Sequence, residues 1–485
     1  MPTRNLACSY AQTTKVPSRQ LLRSTASPNA DTSVHSGLQL SSNTSGLDVG
    51  TGTPAELLRE AELTQTLLSL YFQNFNDIHF MFDQTIFLRR YVLGDIPKVL
   101  LFAIMALGIR YSHAPFQSPR LRPHWGEPLY NEARQLLKED FDHPSPTTIQ
   151  VYVLLATYNL TFGGARKAWI FLSFARSFVS ILKLDQPASD TDPVQAELCR
   201  RLVATVALME HTFPSGLNMG RPFPPVHTLP RLYAEEEFDV IKNPAFAAAN
   251  LHPMPCIAQE ILTLSEYYHQ ACQIFDTPTP QGLEALEQRL SQWQASLDES
   301  LVFNRENLEV HLQKFAVRPF AYMHLLYAHI WQLALFDSMD WTSATIATAS
   351  EAGKRILPIY KQASNITGIV HQLWEVAQLD LHNNCFGQIA KTAQIILAHQ
   401  LLSTTDAQTM ACLQTELLIL RDCLIRVKAH CRLYNWVFDQ AEWFLRICTQ
   451  DSFLQGLHAW KSVVRFQVMS LGTCYERLDY ETATD

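Results

Sequence analysis

The sequence predicts an all-α protein, a large multi-helix domain preceded by a disordered N-terminal tail. Three observations carry this prediction. Apolar residues recur with helical spacing through most of the chain beyond residue 55. Glycine is scarce, 17 of 485 residues, which argues against the turn-rich sequence of an all-β fold. The prolines gather in short stretches such as "GRPFPPVHTLP" and "DTPTPQG", where they separate helices rather than interrupt them.

Residues 1–54 are rich in serine and threonine and nearly free of aromatics. Such a segment buries too little apolar surface to offset the entropy of ordering it, so a disordered tail is expected. Order should begin at "TPAELLREAELTQTLLSLYFQNF". There Thr53 suits an N-cap, Pro54 the first helical position, and Glu56 a capping box. A second helix is expected in "GDIPKVLLFAIMALGIRYSH", with Asp95 placed to cap it. In 166–185, Ile170, Phe171, Phe174, Phe178, Ile181 and Leu182 are expected on one core-facing side, with Arg176 and Lys183 on the other. Ile257, Ile261, Leu264, Tyr268, Cys272 and Phe275 repeat the pattern, as do Leu413, Leu417, Leu420, Leu424, Val427 and Cys431. The helical domain is expected to span 55–480. That is too long for one core and predicts two lobes, about 55–235 and 236–480.

Hydrophobic residues make up 47% of the chain and charged residues 17%, against roughly 25% charged in ordinary globular proteins. The net charge is −8, the opposite of the basic footprint that grips phosphate backbones. The longest apolar run, "VLLFAIMALGI", is too short to cross a bilayer, so no membrane partner is expected. The first 40 residues lack the apolar run of a secretory signal, which predicts a soluble intracellular protein. Arg4, Lys15, Arg19 and Arg23 without a nearby acid also suit a mitochondrial transit peptide, the lesser alternative. The ten cysteines never stand as CxxC, so no cofactor and no metal is expected in this chain; packed thiols are the ordinary role for them.

Catalytic motifs are missing: there is no GxGxxG, no phosphate loop, no HExxH and no GxSxG. No catalytic residue is assigned. His324 and His329 in "YMHLLYAHIW" stand five apart, off one helical face, and read as helix-packing histidines. "EDFDH" (139–143) resembles half of the metal-holding helix ends of a terpene synthase but has no second motif, so a solvated helix end is expected. "YAEEEFD" (233–239) reads as a solvated acidic loop. The most distinctive stretch is "ELCRRLVATVALMEHTFPSGLNMGRPFPPVHTLPRL" (197–232). Glu197, Arg200 and Arg201 open an apolar helix. Gly220, Arg221 and Pro222 then form a turn in which a five-donor guanidinium stands between a flexible and a rigid residue. A structural bracing role accounts for that turn.

With those stretches in hand, the chain resembles the fungal-specific transcription factor domain, the middle homology region of binuclear zinc-cluster regulators. "LLSLYFQNFNDIHFMFDQTIFLRRY" looks like the family's opening, and "PKVLLFAIMALGIRYS" is similar to its next helix. "GGARKAWIFLSFARSFVSILKLD" resembles the helix with Trp169 and the Ala175–Arg176 pair. "ELCRRL…MGRPF…LP" looks like the family's Glu-x-x-Arg-Arg helix, Gly-Arg-Pro turn and Leu-Pro. "LEQRLSQWQASL" and "PFAYMHLLYAHIWQLALF" match more loosely. The likeness runs from about 60 to 450. Leu202 and Val203 stand where the family usually has a Trp, and Glu210 stands a little too far ahead of the turn to replace the usual Asp.

The resemblance implies a nuclear transcriptional regulator, not an enzyme, controlling a metabolic or secondary-metabolite gene set through its helical domain. The implied partners are transcriptional co-regulators, a homodimer and a small-molecule effector. Family members read DNA through an N-terminal cysteine cluster that binds zinc and commonly ends in Cys-x-Tyr. This sequence offers only Cys8-Ser9-Tyr10. Either Cys8 is the last zinc ligand of a cluster whose other cysteines lie upstream, or it is an ordinary tail thiol. DNA would then be reached through that missing cluster or through a partner protein. The competing reading from another class is an all-helical scaffold or a terpene-synthase-like enzyme.

Overall fold

The computed structural model describes residues 61–112, 122–162, 164–186, 192–212, 223–249, 255–336, 351–379 and 386–431, with Phe438, Asp439 and Glu442. The proposed Thr53 cap, Cys8 and the Gly220–Arg221–Pro222 turn lie outside the described residues. Among the described residues every regular element is helical and no strand occurs. The protein is all-α.

Helix α1 (Ala61–Tyr71) runs into a π-helical turn, Phe72–Asn76, and then a short turn, Asp77–His79. The turn is needed because the chain reverses onto an aromatic cluster. Tyr71 and Phe75 stack at 6.1 Å, and Phe82 meets Phe87 edge-on at 5.2 Å. Asn76 fixes the reversal: its Nδ2 donates to the Phe82 carbonyl at 2.8 Å, and its Oδ1 accepts from the Phe82 N–H at 3.0 Å. Phe80 holds a left-handed φ of 43° inside that loop. Asp83 then caps α2 (Gln84–Val92), accepting from the Ile86 N–H at 2.8 Å.

Helix α3 (Lys98–Gly108) is buried from Leu100 through Gly108. Burying each of its Leu, Ile, Phe and Met side chains contributes about 1.5–3 kcal/mol, which makes α3 an axis for the first helices. It packs on α1, on α4 (Glu127–Asp140) and on α5 (Pro146–Phe162). The helix starts after Pro97 and not at Asp95, which makes no side-chain cap. Proline forces its preceding residue out of the helical region, so the helix can only begin beyond it. "EDFDH" closes α4 and is exposed, as a solvated helix end should be.

Helix α6 (Ala165–Ile181) corrects the expected face. Ala168, Leu172, Ala175, Phe178 and Val179 are buried. Ile170, Phe174 and Ile181 are 47%, 41% and 61% exposed. The small alanines allow close packing against α5, and that contact outweighs the bulkier stripe beside it. Helix α7 (Pro193–His211) follows, with Asp192 as its N-cap. Residues 223–234, which include a 3-10 turn at Val226–Thr228, lead to α8 (Glu235–Lys242).

The remaining helices are α9 (Ile257–Asp276), α10 (Pro280–Ser296), α11 (Arg305–Gln313), α12 (Val317–Leu335), α13 (Glu351–Gln372), α14 (Phe386–Ser403) and α15 (Ala407–Lys428). α9 packs against both α7 and α12, and α12 to α15 stack on one another. In α9, Ile261, Leu264, Tyr268 and Phe275 are buried, with Ile257 and Cys272 half-buried. In α15, Leu413, Leu417, Leu420, Leu424 and Val427 are buried, as is Cys431 beyond it. Both stripes match the sequence reading. No described helix is long and apolar enough to cross a membrane.

Candidate functional site: the Glu197–Arg201 junction

Glu197 sits in the first turns of α7 and is fully buried. Its Oε2 accepts from an Arg200 guanidinium nitrogen at 2.7 Å. Its Oε1 accepts from Arg201 Nε at 3.1 Å and from the Tyr233 backbone N–H at 3.2 Å. A buried carboxylate needs that many donors, because an ion taken out of water and left unpaired costs several kcal/mol. Burial raises the Glu197 pKa, and Arg201 opposes it. The second arginine reaches further: Arg201 donates to Glu235 Oε1 at 2.9 Å. Its guanidinium lies 4.6 Å from the centre of the Phe238 ring, and that of Arg200 lies 4.8 Å from the Tyr233 ring. Thr205, one turn on, donates to the His79 carbonyl at 2.6 Å. The junction therefore holds three segments far apart in sequence, the 77–80 turn, α7 and 233–238.

"YAEEEFD" is not a solvated loop. It opens α8, and each acid in its first turn has work. Glu235 binds Arg201, Glu236 binds Lys314 Nζ at 3.0 Å, and Glu237 accepts from the Ala234 N–H at 2.9 Å. Acids are favoured there by the helix dipole, and fully buried Phe238 anchors the turn. At the far end of α8, Lys242 Nζ lies 2.6 Å from both Asp83 and Asp239.

Arg176 also corrects the sequence reading. It is not on a solvent face but bridges α6 to α7, 2.6 Å from Glu210 Oε1. Burial pushes the Glu210 carboxyl up to about 7 against the pull of Arg176. Leu202 and Val203, standing where the resembled family usually has a Trp, are both buried.

Beside the junction is a cavity of about 120 Å³. Its wall includes Phe80, Cys256, Ala258, His311, Lys314 and Ala316. Asp77 lies on it too, 3.6 Å from Arg318. Arg318 also donates to the Gln73 carbonyl. Burial raises the Asp77 carboxyl to about 6, with Arg318 pulling the other way. Nothing in the sequence periodicity marks this cavity, because its walls come from four separate segments.

The two histidines of α12 do not meet. His324 Nε2 faces the Leu301 carbonyl at 2.9 Å, whereas His329 Nδ1 faces Gln332 Oε1 at 3.2 Å. Among the described residues no group of three or more His, Cys, Asp or Glu is arranged to hold a metal.

Residues 68–299 match the family model of the fungal specific transcription factor domain. This chain carries that domain. The matched range opens inside α1 and closes just past α10. Both the Glu197–Arg201 junction and Arg176–Glu210 lie within it. The transcription factor domain is thus a helical assembly whose distinctive charged residues brace helices against one another. No curated protein matches the chain.

Proposed function

We propose that this chain is a nuclear regulator of fungal transcription that controls a metabolic or secondary-metabolite gene set and catalyses no reaction. One observation carries the reading: the family match covers the helices that build the Glu197–Arg201 junction. The charged residues of that junction are consumed in mutual pairing, which supports a structural and regulatory role over catalysis. The net charge of −8 supports contact with promoter DNA through a partner protein or through a zinc cluster beyond this sequence. The domain is proposed to extend over about 55–480 and to act by shifting between alternative packings, which a ligand can bias only through differential affinity. The Gly220–Arg221–Pro222 turn is proposed to brace the chain between α7 and α8.

The test is a fluorescent fusion combined with transcript profiling of a deletion strain in the source fungus. Nuclear accumulation and a coordinated change in a defined gene set are expected. A cytosolic fusion together with an unchanged transcript profile would overturn the reading.

A further inference from the structure

The cavity beside the junction has features that core packing does not explain. His311 is 1% exposed. Its Nε2 faces the Ser300 carbonyl at 3.1 Å, so Nε2 carries the proton and Nδ1 is left as an acceptor. That buried Nδ1 has no hydrogen-bond partner. Burial lowers the pKa of His311, with the bond to the Ser300 carbonyl opposing. An unsatisfied buried polar atom is costly, and native structures keep few of them.

The rim is also unusual. Phe315, between the lining residues Lys314 and Ala316, holds a left-handed φ of 57° and is 92% exposed. Phe80, on the wall, holds a φ of 43°. Both residues close helices, where a left-handed residue is the common stop, but glycine is the usual choice and so bulky a side chain is disfavoured there.

The chemistry of the wall selects its occupant. Its charged groups are already paired: Asp77 with Arg318, Glu235 with Arg201, and Glu236 with Lys314. A charged ligand would have to break one of those pairs. Phe80, Pro255, Ile257 and Pro319 supply apolar surface. The volume of about 120 Å³ exceeds that of a single water and falls below the roughly 300–1,000 Å³ of pockets for drug-sized ligands.

We propose that this cavity binds a small uncharged hydroxy compound, a phenol or a comparable alcohol. Its hydroxyl donates to His311 Nδ1, and its apolar body lies against Phe80 and Ile257. The inference rests on the reading that the domain regulates in response to a ligand. Glu235 lines the cavity and binds Arg201, so an occupant touches the same segment that the junction fixes.

Phenol is the probe, titrated calorimetrically into the purified full chain, with benzene as the analogue that cannot donate. Saturable one-to-one phenol binding at about 1 mM is expected, the level for so small a ligand. Benzene should bind at least about tenfold more weakly, because the site is built to meet a donor. Ala258→Trp, which fills the cavity, should weaken phenol by a similar factor. So should His311→Leu, which fills similar space but has no acceptor in place of Nδ1. Hydrogen exchange on the unmodified chain guards against a variant that fails to fold. There phenol should protect 77–80, 255–258 and 311–316. Absence of saturable binding, equal affinity for benzene, full binding by folded Ala258→Trp, or protection only elsewhere would overturn the proposal. None of these outcomes depends on nuclear location or transcript changes, so failure of the cavity and failure of the regulatory reading are separable.

Discussion

At the scale of single residues, the core holds charge-capable groups in their neutral forms. His329 is 1% exposed, and its ring stacks on Tyr268 at 5.7 Å. Burial drives its pKa from 6.5 down to about 4, with the Gln332 bond opposing. The unfolded chain therefore takes up a proton before the folded chain does. Stability linked to His329 is intact above pH 6.5, falls as pH drops toward 4, and levels off below that. Its slope is at most about 1.4 kcal/mol per pH unit. In His329→Phe this loss should vanish. Denaturant unfolding at pH 7 and at pH 4.5 should give a stability difference smaller by about 2 kcal/mol in the variant than in the parent. An identical pH dependence in both proteins would mean that His329 is reached by solvent. Glu197 illustrates the same economy by other means, since a fully buried carboxylate is retained by surrounding it with donors.

At the scale of elements, close approach of helices decides what each helix must be. A Cβ added at Gly108 would stand 2.2 Å from the Leu67 carbonyl oxygen and 3.3 Å from the Tyr71 nitrogen, both backbone of α1. Ala is the better helix former by about 1 kcal/mol, yet here the crossing of α1 and α3 leaves no room. Gly108→Ala should destabilise by about 1–3 kcal/mol, the cost of overpacking, read as a lower thermal midpoint. A rise in the midpoint would show that the two helices can part without loss. The same competition explains how far the sequence could be read. α9 and α15 each carry one apolar stripe, and the structure buries it. α6 carries two, and periodicity alone cannot rank Ala168, Leu172, Ala175 and Val179 above Ile170, Phe174 and Ile181. The deciding quantity is how close the alanines let α5 come. The opening of α8 was hidden by its acids, whose partners Arg201 and Lys314 lie 34 and 78 residues away. A glutamate three residues after Ala234, with Phe238 following, was the available sign of a helix start. Glu197, Arg200 and Arg201 were legible as distinctive, but Tyr233, Glu235 and Phe238 as their partners depend on a chain reversal that local pattern does not encode. The cavity was illegible for the same reason.

At the scale of the whole molecule, the short α8 acts as a strap. Arg201 of α7 grips its first turn through Glu235, and Lys242 in its last turn grips Asp83, the N-cap of α2. The buried Phe238 ring lies between them, 4.6 Å from the Arg201 guanidinium and 4.9 Å from Lys242 Nζ. Glu236 extends the strap to Lys314, beyond α11. Helices distant in sequence are thus held through one eight-residue segment. If the strap is held as a unit, releasing one end forfeits much of what the other end contributes. Arg201→Met should cost about 3–5 kcal/mol, because it strips a buried carboxylate of its main donor. Lys242→Met should cost less, since Asp239 is half-exposed and Asp83 keeps the Ile86 N–H. The double variant should then cost less than the sum of the two, by about 0.5–3 kcal/mol, the range found for residues that share a network. Denaturant unfolding of the four proteins in this cycle measures that difference. Additivity within about 0.3–0.5 kcal/mol would mean that each end of α8 is fixed independently, and that a change at the cavity wall could not reach α2 through it.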